Sequence, residues 1–301
     1  MAQEAGQALA QLGGLSAPAC AAMAQLAVPF SVAPGAAIFR QHDPSDGLYL
    51  IGDGNVMVTG RTPGDGHVEL ARLGPGAMLG EFCLLDGGRR SADALAATDC
   101  TGWRLDLARF AGLQDAGDAA ALALAAALRA QVAARSHDLA TALAATTPET
   151  AHPLPAGVPV SPDHLAARLQ TFPGFDQFGP ADWAALAAGG HGHVAPRGLR
   201  LDGGVPRLWI VLRGAVRWQA AESLQLLVHG PGALAGSAAF VAGMPWPARL
   251  LVREDAELFA LPALPDGATG EKLARMLGSA LVRDQRRLTR VRARLAAMEA
   301  A

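Results

Sequence analysis

Charge, cysteine and long apolar runs are all scarce in this chain. Only 17% of its 301 residues are charged, and the formal net charge is -2. That leaves no bulk excess of basic charge for non-specific nucleic-acid binding. Three cysteines, Cys20, Cys83 and Cys100, are far apart with no CxxC pair. This excludes a disulfide framework and a zinc knuckle. No run of 18 strongly apolar residues occurs, and the Ala-rich stretch 119–134 is broken by Arg129 and Gln131. No membrane span is expected. Met1-Ala2-Gln3-Glu4 lacks the positive start of a signal peptide, so a cytoplasmic protein is expected. There is no Walker loop, HExxH or GxSxG, and no nucleophile and base set, so enzyme activity is not expected. His191-Gly192-His193 has no third ligand close in sequence and reads as a turn entering a strand rather than a metal site.

Apolar residues are plentiful, at 51%, and the length suits two domains. The chain also repeats itself. Leu73-Gly74-Pro75-Gly76-Ala77-Met78-Leu79-Gly80 returns as His229-Gly230-Pro231-Gly232-Ala233-Leu234-Ala235-Gly236, 156 residues on. Leu48–Val56 returns as Leu208–Val216, 160 residues on. Val32-Ala33-Pro34 matches Val194-Ala195-Pro196, and Trp103-Arg104-Leu105 matches Phe259-Ala260-Leu261. Four blocks in one order, with loop-sized slips, indicate a duplicated domain.

Each copy opens with a short helix (about 17–25 and 180–188) and continues as short strands between Gly, Pro and Asp turns. In the first copy these are 36–41, 48–51, 56–59 and 68–73. That rhythm indicates a sandwich or barrel. Each copy then ends in a long helix, 117–145 and 271–299. Leu124, Leu128, Val132, Leu139 and Leu143 keep helical spacing in the first. Leu277, Leu281, Leu288, Val291, Leu295 and Met298 form a heptad seam in the second, broken by Asp284. Proline density marks the linker, with Pro148, Pro153, Pro155, Pro159 and Pro162. The expected division is a domain at 1–145, a Pro-rich linker at 146–164 and a second domain at 165–301.

The segment Gly80-Glu81-Phe82-Cys83-Leu84-Leu85-Asp86-Gly87-Gly88-Arg89-Arg90-Ser91-Ala92 suits a cyclic phosphodiester. Such a group needs a cation, hydroxyl or amide donors and close backbone approach. Arg90 can supply a charge-assisted hydrogen bond and Ser91 a hydroxyl. A short helix from Glu81 would present amides, for instance those of Cys83 and Leu84. Gly80 permits close approach. Glu81, an acceptor when ionised, can take a ribose hydroxyl and offset the Arg90 charge. The alternative is an ordinary Glu81–Arg90 surface ion pair. Arg89 is expected to be solvated.

The segment resembles the cyclic nucleotide-binding domain family, which includes catabolite activators and regulatory subunits of cyclic AMP-dependent kinase. The match falls on Gly80, Glu81, Leu84, Gly87, Arg90, Ser91 and Ala92, within a likeness running roughly 15–143. The resemblance implies a mainly β fold with α: two tandem β-rolls, jelly-roll-like, each followed by a long helix. It implies that Arg90 holds phosphate and Glu81 the ribose 2′-hydroxyl, with Gly80, Phe82, Cys83, Leu84, Ser91 and Ala92 around them. It also implies a base contact from the long helix, where ungapped extension from Arg90 reaches Arg135 and Ser136; a solvated or dimer-facing position is the alternative for both. The ligand expected is cyclic AMP, with cyclic GMP the alternative, since Ser91 suits both. No cofactor or metal is expected.

The second copy departs from the pattern. Ser237 stands for Glu81, Trp246 for Arg90 and Pro247 for Ser91. Arg249 comes three positions late and, on an alternating strand, faces the other way. This copy is expected to bind no ordinary cyclic nucleotide, with Trp246 filling the vacated pocket or offering an aromatic surface. The last helix is basic, which suits a coiled-coil flank, nucleic acid or a membrane surface. No helix-turn-helix follows either long helix, so sequence-specific DNA reading is not expected. Activators of this type pair their long helices. An intramolecular pseudo-dimer is expected here, with a homodimer as rival. The first helix is ~43 Å long at ~1.5 Å per residue, and the linker can extend ~66 Å at ~3.3 Å per residue. The reading is a ligand sensor with an unidentified downstream protein. A ligand-free scaffold, or an adaptor acting through the basic helix, is the alternative.

Overall fold

The computed structural model describes residues 2–61, 67–144, 155–201, 205–219 and 225–299. The chain forms two compact units, Met1–Gln131 and Val132–Ala301, each carrying one β-roll.

In the first unit, α1 (Ala2–Ala10) and α2 (Ala17–Ala24) precede β1 (Ala27–Val32), β2 (Ala37–Phe39), β3 (Gly47–Asp53), β4 (Val56–Arg61), β5 (His67–Leu73) and β6 (Met78–Leu79). Then come α3 (Phe82–Asp86), β7 (Asp93–Ala96), β8 (Cys100–Asp106), α4 (Leu107–Asp115) and α5 (Ala119–Leu143). Two antiparallel sheets form, ordered β1-β8-β3-β6 and β2-β7-β4-β5. Alternation along β3 divides the core. Tyr49 and Ile51 join Val56, Ala94 and Cys100 between the sheets. Leu48 and Leu50 face the other way, onto Leu9, Met23, Leu124 and Leu128 of the helices. Local chemistry starts the helices. Ser16 accepts from the Ala19 amide at 3.3 Å, and Asp118 accepts from Ala121 at 2.9 Å, each satisfying an amide with no partner inside its helix.

In the second unit, α6 (Pro162–Leu169), a single 3-10 turn (Phe175–Gln177) and α7 (Pro180–Gly189) precede β9 (His191–Ala195), β10 (Arg200–Leu201), β11 (Leu208–Gln219), β12 (Gln225–His229) and β13 (Leu234–Ala235). α8 (Ser237–Ala242), β14 (Arg249–Leu261) and α9 (Gly267–Glu299) complete it. The strands form one six-stranded sheet around the path β10-β14-β11-β12. Here β11 equals β3 and β4 run together, and β14 equals β7 and β8. The bend survives as register shifts between Val211 and Val216. Gly54 and Gly214 occupy the same repeat position, both left-handed, at φ 88° and 77°. A Cβ at Gly54 would strike the backbone of Asp99, just before β8, and one at Gly214 that of Asp255 in β14, so both copies need glycine at that bend.

The mixed β/α fold agrees with expectation, as do the positions of both long helices. α1 and α6 were not foreseen. α6 starts at Pro162, within the stretch assigned to the linker; Ser161 caps it by accepting from His164 at 3.2 Å. Pro148 and Pro153 of that linker lie outside the described residues. So does residue 145, the expected helix end, while α5 itself ends at Leu143. The two compact units divide inside α5, so residues 132–143 count with the second. The three cysteines are free and buried. Among the described residues no single helix is long and apolar enough to cross a membrane, and none group as a metal site. His191 and His193 lie on β9, where His193 Nδ1 sits 2.8 Å from the Pro155 carbonyl oxygen.

Candidate functional site

Arg90 organises the first roll. Its side chain is buried, and its backbone is tied to the loop before β3: the Arg90 amide donates to Asp43 O at 3.0 Å, and the His42 amide to Arg90 O at 2.9 Å. Nη2 donates to Asp46 Oδ1 at 2.5 Å and to Gly47 O at 2.8 Å. The guanidinium lies over the Phe39 ring, 4.1 Å from its centroid, and 5.4 Å from that of Tyr49. Its Nε has no hydrogen-bond partner among the described residues. Among the described residues this buried cation is therefore held ready by the Asp46 carboxylate, the Gly47 carbonyl, the Cys83 sulfur at 3.8 Å from Nη1 and two aromatic faces.

Asp46 is the hub on the acidic side. It accepts from Arg104 Nη1 at 2.5 Å and from the Tyr49 hydroxyl at 2.8 Å as well as from Arg90. Burial alone would raise its carboxyl, but hydrogen bonds from Arg104, Tyr49 and Arg90 outweigh that and hold it below the usual carboxylate range. Burial, reinforced by Asp46, pushes the Tyr49 phenol up to about 12.

The cassette wraps this centre. Gly80 is left-handed at φ 77°, and a Cβ there would overlap Arg90 Nη1. Glycine is thus required by both conformation and space. Glu81 and Ala92 are buried, Phe82 is half-buried, and Ser91 is exposed. The amides of Cys83 and Leu84 are not presented outward as expected. They donate to Gly80 O and Glu81 O, each at 3.2 Å, because α3 tightens at its first turn. The Cys83 thiol sits 2.9 Å from Gly80 O, and burial raises it to about 11. Arg89 is exposed and donates to His42 O at 2.8 Å.

Sequence reasoning assigned Glu81 the task of offsetting Arg90 and did not foresee the ion pair that Asp46 makes with it. Asp46, Tyr49, Phe39 and Arg104 were all missed. The available signal was an Asp three residues before an aromatic, at the mouth of a strand whose neighbour carries Arg104. Arg135 and Ser136 belong to the second unit. Arg135 is exposed, while Ser136 is fully buried and donates to Gln285 Oε1 at 2.5 Å.

The second copy has lost the whole network. Pro206 stands where Asp46 is, Ala260 where Arg104 is, and Trp246 where Arg90 is. Trp246 is turned in and packs on Trp218 with ring centroids 5.7 Å apart. Ser237 is buried and donates to Leu234 O at 3.2 Å. Arg249 pairs with Gln219 and shares its outward face, as expected.

The sequence model of a family described as "Cyclic nucleotide-binding domain" matches residues 29–116. The chain is 45% identical over 65 residues to the cyclic AMP receptor protein of Thermus thermophilus, covering 22% of this chain and 30% of that protein. It is 30% identical over 93 residues to a CRP-like cAMP-activated global transcriptional regulator of Mycobacterium tuberculosis, covering 31% and 42%. The chain thus spans less than half the length of these relatives. Among solved structures, a cyclic nucleotide-binding domain from Methylobacillus flagellatus matches at TM-score 0.42 and 22% identity, covering 46% of this chain and 79% of that one. The regulatory domain of Toxoplasma gondii PKA with cAMP matches at TM-score 0.35 and 14% identity, covering 86% and 88%.

Proposed function

We propose that this chain, whose residues 29–116 match the cyclic nucleotide-binding domain family, is a cytoplasmic sensor that binds one cyclic nucleotide, cyclic AMP in preference to cyclic GMP, in its first roll. The observation that carries the reading is the poise of Arg90. It is buried, its Nε has no hydrogen-bond partner among the described residues, and its carboxylate partner Asp46 is half-exposed and shared with Arg104. An incoming phosphate would take Arg90 while Asp46 keeps Arg104 and Tyr49. Gly80 leaves room beside the guanidinium, Ser91 adds a hydroxyl, and Glu81 receives the ribose. Phe82, Cys83, Leu84 and Ala92 line the cassette.

In this reading the second roll is inert toward ordinary cyclic nucleotides. Its interior lacks the cation, its counter-ion and the hydroxyl, and Trp246 occupies the place of Arg90. The protein regulates rather than catalyses, acting through a downstream protein. The two long helices pair within one chain, a reading supported by the Ser136–Gln285 hydrogen bond between α5 and α9. Arg135, exposed on the same helix, remains the candidate for a base contact. Ligand shifts the chain only insofar as it binds two states unequally.

Calorimetric titration with cyclic AMP and cyclic GMP, beside Arg90→Ala, tests this. One site per chain, abolished in the variant, is expected. Absence of heat and of thermal stabilisation with both nucleotides would reject the sensor in favour of an assembly scaffold.

A further inference from the structure

The two rolls share a register, so their outward faces can be compared row by row. In the first roll one outward row runs Ala37, Leu95, Met57, Arg72 across β2, β7, β4 and β5. In the second the corresponding row runs Arg200, Leu251, Arg217, Val228 across β10, β14, β11 and β12. Arg249 and Arg253 flank Leu251 at two residues either way on β14, and therefore share its face. The inward neighbours Leu250, Val252, Val216 and Trp218 are buried, which confirms the alternation. The second roll has thus gathered four arginines around one half-buried leucine. Row for row, the second roll carries two arginines, Arg200 and Arg217, and the first roll one, Arg72.

Nothing in the fold requires this. The first roll builds the same sheet with alanine and methionine at the places of Arg200 and Arg217. The crowding also has a cost: the Arg217 Nε is buried without a hydrogen-bond partner among the described residues. Burial, with the charges of Arg253 and Arg200, presses its guanidinium below the ordinary value. Like charges collected on one face raise the local potential for an anion.

The side chains select the class of anion. Single-stranded nucleic acid is held by aromatic stacking platforms, and duplex DNA is read by an element that enters a groove. Among its described residues this patch carries no aromatic side chain. At its centre lie Leu251 and, across Arg217, Val228, which is 38% exposed. Apolar anchors ringed by arginine match a protein interface, where guanidinium forks take carboxylates two bonds at a time.

We propose that this face of the second roll docks an acidic segment of a partner protein, whose carboxylates engage the arginines while an apolar side chain covers Leu251 and Val228. The second copy then serves as the output module of the chain. This assignment stands apart from the nucleotide reading, and either can fail alone.

The test uses the full chain and a fluorescein-labelled peptide of alternating glutamate and leucine, read by anisotropy. The comparison probes are a glutamine–leucine peptide and labelled oligo-dT of equal length. Binding of the glutamate peptide is expected to weaken at least about tenfold in Arg217→Gln with Arg253→Gln. It should weaken similarly for the glutamine peptide and hold in Arg72→Gln on the equivalent row of the first roll. Tryptophan fluorescence unfolding checks that each variant is folded. No binding by the parent chain, equal binding by the double variant, or tighter binding of oligo-dT than of peptide would overturn the proposal.

Discussion

Asp284 and His229 should titrate against each other, and separating them makes that visible. Asp284 breaks the apolar seam of α9 and is buried against β12, with Oδ2 4.0 Å from His229 Nε2. Asp284 Oδ1 and both His229 nitrogens lack hydrogen-bond partners among the described residues. Burial pushes the Asp284 carboxyl up to about 7, against the pull of Arg283 and Arg287. Burial, with the Arg283 and Arg287 charges, pushes the His229 imidazole down to about 3. The signs follow from linkage. An aspartate raised on folding costs nothing below 3.8 and progressively more as pH rises to about 7. A histidine lowered on folding costs nothing above 6.5 and progressively more as pH falls to about 3. Between roughly pH 4 and 6.5 the slopes are opposite and nearly equal, so this pair alone leaves stability almost flat. In His229→Phe only the aspartate remains, and stability should fall as pH rises from 3.8 toward 7. At ~1.4 kcal/mol per pH unit the full swing is about 4 kcal/mol, an upper figure. In Asp284→Leu only the histidine remains, and stability should instead rise with pH. The double variant should be flat. Urea unfolding across this range, followed by tryptophan fluorescence, reads the second unit, which holds every tryptophan except Trp103. Slopes of the same sign in the two single variants, measured relative to the double variant, would refute the reasoning.

Other outcomes follow from the same contacts. Gly80→Ala should lose nucleotide binding and about 1–3 kcal/mol of stability, seen by calorimetry and thermal melting, because it strains a left-handed residue and presses a Cβ onto Arg90. Asp46→Asn should lower the melting temperature, by leaving Arg90 buried without its carboxylate. Cyclic AMP should then restore more of it than in the parent chain, since the phosphate replaces the lost anion; an equal or smaller nucleotide-induced shift would count against Arg90 as the phosphate site. Trp246→Arg should destabilise the second unit by about 3–5 kcal/mol in urea melts without creating a second site by calorimetry, because Pro206 offers the new cation no carboxylate.

Much of this was legible before any coordinates. Periodic apolar residues placed both long helices, and repeated turn glycines placed the rolls, because those signals are local. The buried cation was legible too, through the cassette. Its counter-ion was not: Asp46 lies 44 residues before Arg90, in a loop whose approach depends on the roll closing. That the Cys83 and Leu84 amides are used within α3 was not legible either, because a five-residue helix spends them on its own first turn. α1 and α6, of nine and eight residues, escaped because about two turns offer too few repeats for a helical period to stand out, and their stability comes from packing. Fusion of strands in the second roll escaped because Gly54 and Gly214 read identically, although one ends a strand and the other only bends it.

The losses and gains in the second copy are best understood together. A pocket built around a buried arginine cannot shed its parts singly at low cost. Removing only the carboxylate strands a cation, and removing only the cation strands a carboxylate. The positions of Asp46, Arg90 and Arg104 are accordingly all uncharged in the second copy, as Pro206, Trp246 and Ala260, and the buried volume is taken by one indole against another. Outward positions are less tightly coupled, because most side chains there reach solvent, although Arg217 keeps a buried Nε. They are free to change one at a time, and it is on them that the arginines have accumulated. Duplication followed by this asymmetric drift moves charge from the inside of a roll, where it would hold a small anion, to the outside, where it can meet a large one.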